Sequence, residues 1–512
     1  MASYRIWAVS VLTAGCAVSA QPPSQDFNAF RQQMLEGYGN FRRGILEDYS
    51  KFLDGVWTDY EAFKAQERDL TPKPPTPPMA DPTVERIPWK MKQPVEVVPV
   101  PSVPQSPVSK PTPPFTSKKP SIPNAPQTPS VPKRQDTPAI SPSTPGQSRP
   151  TKAVDFYGVE VEVPAIAVDL PADMSRQASF AEAWRTMEKS DVRTILIPAL
   201  KSKSAEFSLN DYLTAELVGA VASAFQSGNG ALALQHYILA NMGYDVRIGL
   251  NDSKDAVLLI PFTQEQVYGR AFLKIDGKSY YMFLGKDSAP EAGYAMSVST
   301  CSLPSDADLG RIMDLRINGL TLPEKPREFS MVAAGLEVKG NFNSNIIKML
   351  YHYPQMPMGD YAASVVLPDV RASIVSQLKE QLKDKTELEA VNALLQFMQG
   401  SREYATDNAF HGFEKPNFLE ETLFFNKCDC EDRAIMYGYL LWEVLGLHSQ
   451  LLYFPGHESI AVALTEPIKG ANYEDQGRTY YVSDPTYMGS VTGMCMPQYK
   501  DSAPRIDYTY GR

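Results

Sequence analysis

Large apolar side chains recur between residues 27 and 63 at successive intervals of three, four and four residues. The stripe comprises Phe27, Phe30, Met34, Tyr38, Phe41, Ile45, Tyr49, Phe52, Val56, Tyr60 and Phe63. This spacing corresponds to about 3.67 residues per turn, close to the period of an α-helix. The pattern therefore predicts an amphipathic, aromatic-striped helix within residues 21–70. We expect this protein's own domains, the helix itself, or a partner at the cell surface or envelope to cover its aromatic face.

Proline dominates the next part of the chain, where 24 of the 43 prolines fall within residues 71–150. Serine, threonine, lysine and glutamine surround them, so the segment has too little apolar surface for a core. The composition predicts an extended, disordered linker between the helix and the working part of the protein. One apolar stretch inside it, RIPWKMKQPVEVVPV at residues 86–100, is expected to dock on a domain.

Alternating and helical periodicities mix from residue 151 onward, which is typical of an α+β fold. Strand-like alternation occurs at residues 154–164, 245–250, 256–262, 270–277, 278–285, 448–467 and 477–490, and helical periodicity at 179–189, 209–225, 370–398 and 430–446. The dipeptide Asp276-Gly277 has the chemistry of a two-residue hairpin turn. We predict one α+β domain over residues 151–345 and a second over residues 346–512.

The first twenty residues have the pattern of a secretory signal peptide. Arg5 precedes an apolar run at residues 6–18, and Val18-Ser19-Ala20 ends it with small residues at both cleavage positions. A second interpretation makes Cys16 the lipidated residue of a degenerate lipobox, although Thr13 stands where leucine is usual. Both predict an exported protein that is periplasmic, secreted or at the cell surface. No later run approaches the roughly 20 apolar residues of a membrane span.

Length and charge narrow the range of functions. With 512 residues, of which 43% are hydrophobic, the chain is long enough for two or three domains. The formal net charge of -10 argues against a basic surface that could displace counterions from phosphates. We therefore expect no nucleic-acid partner.

Three residues of complementary chemistry follow one another near the C-terminal end. In NKCDCEDRAIMYGYLLWEVLGL, at residues 426–447, Cys430 begins a predicted helix, whose N-terminus stabilises a thiolate. His457 lies 27 residues later at a predicted strand start, and Asp484 lies a further 27 residues on, after a predicted strand. Imidazole can take the thiol proton, and a carboxylate can fix the imidazole tautomer. The set predicts a nucleophilic cysteine with its base and orienting acid.

From about residue 350 onward, the chain resembles the transglutaminase-like superfamily, a branch of the papain-like cysteine enzymes. The resemblance rests on CEDRA leading a helix, GH before a strand, and DPTY, in that order. It implies a secreted cysteine protease, amidase or acyl transferase that acts on amide bonds of proteins or peptides without a cofactor. Cys428 and Glu458-Ser459 depart from the family pattern, so substrate preference stays open. A calcium requirement is not implied.

The resemblance assigns roles to individual residues. Cys430 would be the nucleophile, His457 the general base and Asp484 the orienting carboxylate. Glu431 and Asp432 are most simply first-turn acids that favour the helix dipole, although Asp432 matches a family position that often supports the site. The backbone amide of Cys430 is the natural first oxyanion donor, and the candidates for the second are Asn426 and Gln399.

Two other functions remain open from the sequence. A non-catalytic scaffold or binding protein that retains the fold is favoured by the aromatic helix and the long spacer. A zinc site is the other alternative, with ligands Cys428, Cys430, His457 and Cys495, but the Cys-x-x-Cys spacing of structural zinc sites is absent. Cys428 is otherwise a bystander or a disulfide partner of Cys495, because export favours disulfides.

The two α+β domains align with each other. A shift of 203 positions places Ser227 under Cys430, Asn229 under Asp432, Ala231 under Ala434, Gly243 under Gly446 and Lys254 under His457. With a further three-residue shift, KSYYMFLG lies under RTYYVSDP, and Leu284 lies under Asp484. We interpret residues 151–345 as a degenerate transglutaminase-like repeat that cannot perform thiolate chemistry by the same route.

Overall fold

The computed structural model describes residues 53–55, 57–68, 71–81, 89–96, 149–283, 297–301 and 310–511. The signal-peptide and Cys16 predictions, most of the aromatic stripe and most of the linker fall outside these ranges, as does Leu284. Within them the protein is a mixture of helices and strands, so the predicted α+β class is confirmed.

The helices are Gln177–Glu188 (α1), Ile197–Glu206 (α2), Asp211–Phe225 (α3), Gly228–Met242 (α4), Ser344–Tyr351 (α5), Met358–Ala363 (α6), Pro368–Leu382 (α7), Glu387–Gly400 (α8), Asp407–Phe410 (α9), Leu419–Phe424 (α10) and Cys430–Leu445 (α11), with a π-helical turn at Val192–Leu196 and a 3-10 turn at Pro497–Tyr499. Within the described residues, no helix is both long enough and apolar enough to span a bilayer.

The strands are Trp57–Glu61 (β1), Trp89–Lys90 (β2), Val95–Glu96 (β3), Thr151–Phe156 (β4), Val159–Pro164 (β5), Arg247–Asn251 (β6), Ala256–Pro261 (β7), Phe272–Ile275 (β8), Lys278–Phe283 (β9), Ser297–Cys301 (β10), Pro326–Ala333 (β11), Leu336–Asn343 (β12), Glu403–Tyr404 (β13), Lys427–Cys428 (β14), Ser449–Phe454 (β15), His457–Ala463 (β16), Ala471–Asp475 (β17), Arg478–Val482 (β18) and Arg505–Tyr510 (β19). The strand-like pattern at residues 154–164 is thus a hairpin, with left-handed backbone at Tyr157 and Gly158.

Two sheets organise the described residues. One has the strand order β1-β10-β6-β7-β9-β8 and packs against α4; we call this sheet with α4 the first unit. The other has the order β2-β17-β18-β16-β15-β19-β3 and packs against α11; we call it with α11 the second unit. In the second unit, α11 also contacts α7 and α8, which bury its apolar face.

The two units share one topology. The part that they share begins with a helix that ends at a left-handed glycine. This glycine is Gly243 after α4 and Gly446 after α11. The strand order β10-β6-β7-β9-β8 then corresponds to β19-β15-β16-β18-β17, with antiparallel pairing throughout. Both sheets have a two-residue hairpin with positive φ at matching positions, Asp276-Gly277 and Gln476-Gly477. The predicted Asp276-Gly277 turn is therefore confirmed.

The prediction of a helix is wrong at the C-terminal end of the aromatic stripe. Residues 57–61 form β1, which pairs with β10 in the register Trp57↔Cys301. Trp57 is buried and its indole donates a hydrogen bond to the carbonyl of Leu53. Phe63 then forms a bridge with Phe272 rather than continuing a helix. Pairing with a strand more than 230 residues away overrides a local period of 3.67, because tertiary contacts outweigh weak helix propensity.

Parts of the predicted linker are ordered against the domains. Strand β2 adds to one edge of the second unit's sheet beside β17, and β3 adds to the other edge beside β19. The expected docking of the apolar stretch is therefore confirmed at residues 89–90 and 95–96. Residues 71–81 were predicted as disordered linker, but they also contact the protein, because their backbone and Lys73 find partners there. The stretch 71–81 is called the strap below.

Candidate active site

Helix α11 presents Cys430 as its first residue, at the buried end of the helix. Asp429 is the N-cap, and its backbone amide donates to Asp432 Oδ2 at 3.4 Å. Asp432 also accepts hydrogen bonds from the backbone and side-chain nitrogens of Asn417, each at 2.8 Å. Burial and the charge of Glu431 raise the pKa of Asp432 to about 7. Asp432 therefore ties the loop before α10 to the helix start, which is a positioning role.

His457 and Asp484 come together on adjacent strands. His457 begins β16, Asp484 follows β18, and these strands pair in the sheet. The imidazole Nε2 lies 2.8 Å from Asp484 Oδ2, and Asp484 Oδ1 accepts from the backbone amides of Thr486 and Tyr487 at 2.8 and 3.2 Å. Tyr499 stacks on the imidazole with ring centroids 5.4 Å apart and planes within 5°. The ring is thus fixed, with Nδ1 left as the nitrogen for proton exchange.

Cys430 and His457 line one cavity of about 240 Å³. The other lining residues are Glu67, Arg68, Lys73, Tyr268, Met358, Glu414, Glu431, Tyr453, Gly456, Glu458 and Arg505. Asp484 lies behind the imidazole, where it is 2% exposed. The structure therefore brings the three predicted triad residues together, from a helix start, a strand start and a strand end.

The surroundings of Cys430 favour the neutral thiol over the thiolate. Cys430 is 1% exposed, and its Sγ donates to Glu431 Oε2 at 2.9 Å. Burial, followed by the negative charges of Glu431 and Asp429, raises the pKa of Cys430 well above its usual value, against the lowering effect of Lys73. The sequence-based expectation of a thiolate at a helix N-terminus is therefore wrong here, because two carboxylates and burial outweigh the helix dipole.

A buried acidic cluster surrounds the thiol. Its members are Asp407, Glu414, Asp429, Glu431 and Asp432. The ammonium of Lys73 contacts three of them, at 3.0 Å from Glu414 Oε1, 2.8 Å from Asp429 Oδ2, and also at Glu431 Oε1. Burial, and then neighbouring negative charges, raise the pKa of Asp407 and of Asp429. Burial opposes ionisation of Glu431, but Lys73 and hydrogen bonds hold its pKa below the usual range.

The cluster has the chemistry of a cation site. Three sets of side chains bring potential ligand atoms within 4.8 Å of one another: Asp429, Cys430 and Glu431; Asp407, Asp429 and Asp432; and Asp407, Glu414 and Glu431. The zinc set expected from the sequence, with Cys428, His457 and Cys495, is not among the sets found in the described residues. Cys428 and Cys495 are free, buried thiols. The alternative that they form a disulfide is therefore wrong in this structure.

Neither candidate for the second oxyanion donor points into the cavity. Gln399 donates to the carbonyls of Tyr487 and Ser490 at 3.0 and 3.3 Å and accepts from the amide of Gly489 at 3.2 Å. It therefore holds the loop that follows Asp484. Asn426 is exposed, its carbonyl accepts from the amide of Glu403, and it does not line the cavity.

Sequence reasoning missed Lys73, the cation that contacts three carboxyl groups of the acidic cluster. Lys73 lies in TPKPPTPP, a stretch with the composition of a linker, and its partners are more than 340 residues away. Glu431 was interpreted as a first-turn acid for the helix dipole, whereas its carboxylate bonds the Cys430 thiol. Only a tertiary structure could reveal either contact.

Two of the three matching positions in the first unit, Ser227 and Lys254, lie within the described residues, and both are exposed. Ser227 precedes α4, and Lys254 has a φ of +67°. A larger cavity of about 620 Å³ lies along α4, with Glu216, Gln235 and Leu258 among its lining residues.

The function of the second unit must be inferred from its own chemistry. A base oriented by a carboxylate shares a cavity with a cysteine at a helix start, and an acidic cluster adjoins that cysteine. The chain matches no protein-family model and no curated protein sequence.

Proposed function

We propose that this protein is an exported, transglutaminase-like cysteine enzyme that transfers the acyl group of an amide through Cys430, His457 and Asp484. The observation that carries the proposal is the 2.8 Å contact between His457 Nε2 and Asp484 Oδ2, in a ring that faces the same cavity as Cys430. A buried carboxylate that orients an imidazole beside a thiol is the arrangement that activates nucleophilic cysteine.

In the proposed reaction, the thiol of Cys430 is the proton donor and the imidazole of His457 is the base. His457 Nδ1 takes the proton of Cys430 as Sγ attacks the amide carbonyl, and the backbone amide at the start of α11 can donate to the developing oxyanion. The imidazolium then gives this proton to the leaving amine as the C–N bond breaks, which leaves a thioester. Water or an amine then attacks the carbonyl of the thioester. The acyl group leaves as a carboxylic acid or a new amide, and the Cys430 thiol is regenerated. Asp484 accepts a hydrogen bond from the imidazolium at Nε2 and stabilises its charge.

The substrate class is an amide of a protein or peptide. Hydrolysis, deamidation of glutamine and amine transfer use the same thioester and differ only in the amide attacked and the second nucleophile. The cavity of about 240 Å³ accommodates a side chain and the adjoining backbone rather than a folded protein surface.

Acylation of the thiol tests the proposal. The full chain is incubated with p-nitrophenyl acetate, and the acetylated residue is located by mass spectrometry of the digested protein. We expect acetyl-Cys430 in the wild type and a rate about 10²–10⁴-fold lower in His457→Ala. Lys254→Ala serves as the matched control in the first unit. Equal acylation of Cys430 with and without His457 would contradict the proposal.

A non-catalytic binding role is the second candidate. It is favoured by the environment of Cys430, which is 1% exposed and whose thiol donates a hydrogen bond to Glu431. In that role the unit would bind ligands without forming a thioester. The same acylation experiment separates the two functions, because a non-catalytic protein would not acylate Cys430 in a His457-dependent way.

A further inference from the structure

Lys73 enters the site from outside the two units. It belongs to the strap, and its side chain is only 13% exposed. Its three carboxylate partners come from α11, from the N-cap of α11 and from the loop after α9. An ammonium group has three donors, and here each donor has a separate carboxyl group as its acceptor. The pocket formed by Glu414, Asp429 and Glu431 is called the ammonium pocket below.

The strap is bound as an extended peptide would be. The hydroxyl of Tyr404 donates to the carbonyl of Pro74 at 3.1 Å. Further along, the amide of Met488 donates to Pro78, and the amide of Ala80 donates to Met488, at 2.9 and 2.8 Å. Met488 belongs to the loop that begins at Asp484. The strap therefore crosses from the helix start of Cys430 to the loop of the orienting carboxylate.

The ammonium pocket is built for a positive charge. Asp429 is fully buried, and its Oδ1 has no hydrogen-bond partner although Oδ2 binds Lys73. Burying an ionised carboxylate without a cation is costly, whereas an apolar or neutral side chain would leave three acceptors unpaired. The pocket therefore discriminates by charge, and it adjoins the Cys430 thiol because Glu431 bonds both Lys73 and Cys430.

We propose that the ammonium pocket is a specificity subsite for a lysine side chain of a substrate peptide, and that Lys73 fills this subsite in cis. The interpretation of this pocket as a substrate subsite rests on the proposed function. A peptide whose lysine replaces Lys73 would enter the cavity that Cys430 and His457 line, because Lys73 itself lines that cavity. The strap then acts as a competing internal ligand that such a peptide must displace.

Binding without chemistry tests the subsite. The protein is the full chain with Cys430→Ser, which cannot form a thioester, combined with Lys73→Met to empty the ammonium pocket. The probes are fluorescein-labelled TPKPPTPPMA, which is the sequence of residues 71–80, and the same peptide with Nε-acetyl-lysine. Fluorescence anisotropy gives both dissociation constants. We expect the lysine peptide to bind at least about 10-fold more tightly than the acetylated peptide, because acetylation removes the charge.

Two further variants keep the result interpretable. Ala80→Pro removes the amide that donates to Met488, so it loosens the strap without altering the ammonium pocket; it should also strengthen binding of the lysine peptide. Lys90→Met is the matched control, since Lys90 is exposed and pairs with Glu474 at 3.5 Å on the sheet edge. With Lys90→Met in place of Lys73→Met, binding should match that of Cys430→Ser alone. Circular dichroism confirms that each variant is folded.

Several outcomes would overturn the subsite. Equal affinity for the two peptides would show that charge is not recognised, and absence of binding in both Lys73→Met and Ala80→Pro would show that the strap is not a ligand. Displacement of the lysine peptide by calcium chloride, with tighter binding of the ion, would make the cluster a metal site instead. Failure of the proposed function has a different signature, namely charge-selective binding with no acylation of Cys430.

Discussion

The first and second units are built alike, yet only the second concentrates ionisable groups at its helix start. Both have a helix with a left-handed glycine cap and five antiparallel strands in the same order. At the helix start, the first unit has exposed Ser227, and the second has Cys430 at 1% exposure among buried carboxylates. The comparison teaches that this topology is maintained by packing, whereas chemistry depends on a few residues at the ends of its elements.

Packing under the helix differs as well. Gly438 of α11 lies against the sheet so closely that a Cβ there would be 2.3 Å from Tyr510 Cε2 and 2.9 Å from Ile460 Cδ1. The matching residue of α4 is Gln235, which lines the cavity of about 620 Å³. Gln235 faces α3 instead, where its side chain donates to the carbonyl of Ala215 at 3.0 Å. The glycine therefore lets α11 lie close to β16, the strand that His457 begins, and to β19.

The largest expected effect breaks the chemical difference between the units. His457→Ala should lower Cys430 acylation by about 10²–10⁴-fold, because the other acceptor of the thiol proton, Glu431, has a lowered pKa and is a weaker base than imidazole. Lys254→Ala, at the matching place in the first unit, should leave the rate unchanged. Stopped-flow release of p-nitrophenolate measures both. Similar losses for the two variants would mean that the comparison does not separate active from inactive chemistry.

The next prediction concerns the packing difference. Gly438→Ala should lower the free energy of unfolding by about 1–3 kcal/mol, because the added methyl group overlaps Tyr510 and Ile460. Gln235→Ala is the comparison in the first unit: it creates no overlap with the sheet and removes one hydrogen bond to the carbonyl of Ala215, so we expect a smaller loss, about 0.5–1.5 kcal/mol. Urea unfolding followed by tyrosine and tryptophan fluorescence measures both. A neutral Gly438→Ala would mean that α11 does not need this close approach.

The support of the Asp484 loop gives a third prediction. Gln399→Leu would leave the amide of Gly489 and the carbonyls of Tyr487 and Ser490 without their buried partner, so we expect a loss of about 1–3 kcal/mol. Acylation should also slow, because the loop orients the carboxylate of the base. Urea titrations and the p-nitrophenyl acetate assay report the two effects. Unchanged acylation in a destabilised variant would restrict Gln399 to a purely structural role.

The smallest effect is a dependence on pH that should separate the units. The pKa of Asp432 is raised to about 7 by burial and by Glu431, so the folded state keeps a proton that the unfolded state loses. Its stabilising effect is therefore present at low pH and is lost as pH rises from about 4 to 7. In the first unit, burial lowers the pKa of His236 in α4 to about 3, so its stabilising effect is lost as pH falls from about 6.5 to 3, the opposite direction.

Hydrogen exchange measures this difference. Protection factors at pH 5, 6 and 7, corrected for intrinsic exchange rates, should fall with pH at the start of α11 and rise with pH along α4, which carries the buried His236. A parallel change in both helices would contradict the assignment of the effect to the buried acidic cluster.

Local signals in the sequence were sufficient for much of the fold. Helices α1, α3 and α11 and strands β6–β9 match the segments predicted from periodicity within a few residues. The Asp276-Gly277 turn follows from the positive φ that aspartate and glycine tolerate. The meeting of Cys430, His457 and Asp484 could be predicted because each stands at the end of a periodic segment.

Contacts between distant segments could not be predicted in the same way. β1 has a helical period in its sequence, but its pairing with β10 determines its conformation. Lys73 stands among prolines with no local pattern that indicates a buried ion pair. The raised pKa of Cys430 depends on burial and on Glu431 and Asp429, whose side-chain directions are set by packing. Sequence reasoning supplied the proposed reacting groups but not the charges around them.

The most direct test of the account is the rate at which iodoacetamide alkylates Cys430 at about pH 6.5, where an ordinary thiol reacts slowly. The rate is compared between Ala80→Pro, which loosens the strap, and the same protein with His457→Ala, and the alkylated residue is identified by mass spectrometry. We predict rapid alkylation of Cys430 in Ala80→Pro and a rate at least about 10-fold lower when His457 is removed. Slow alkylation in both proteins, or equal rates with and without His457, would contradict the assignment of Cys430 as an activated nucleophile.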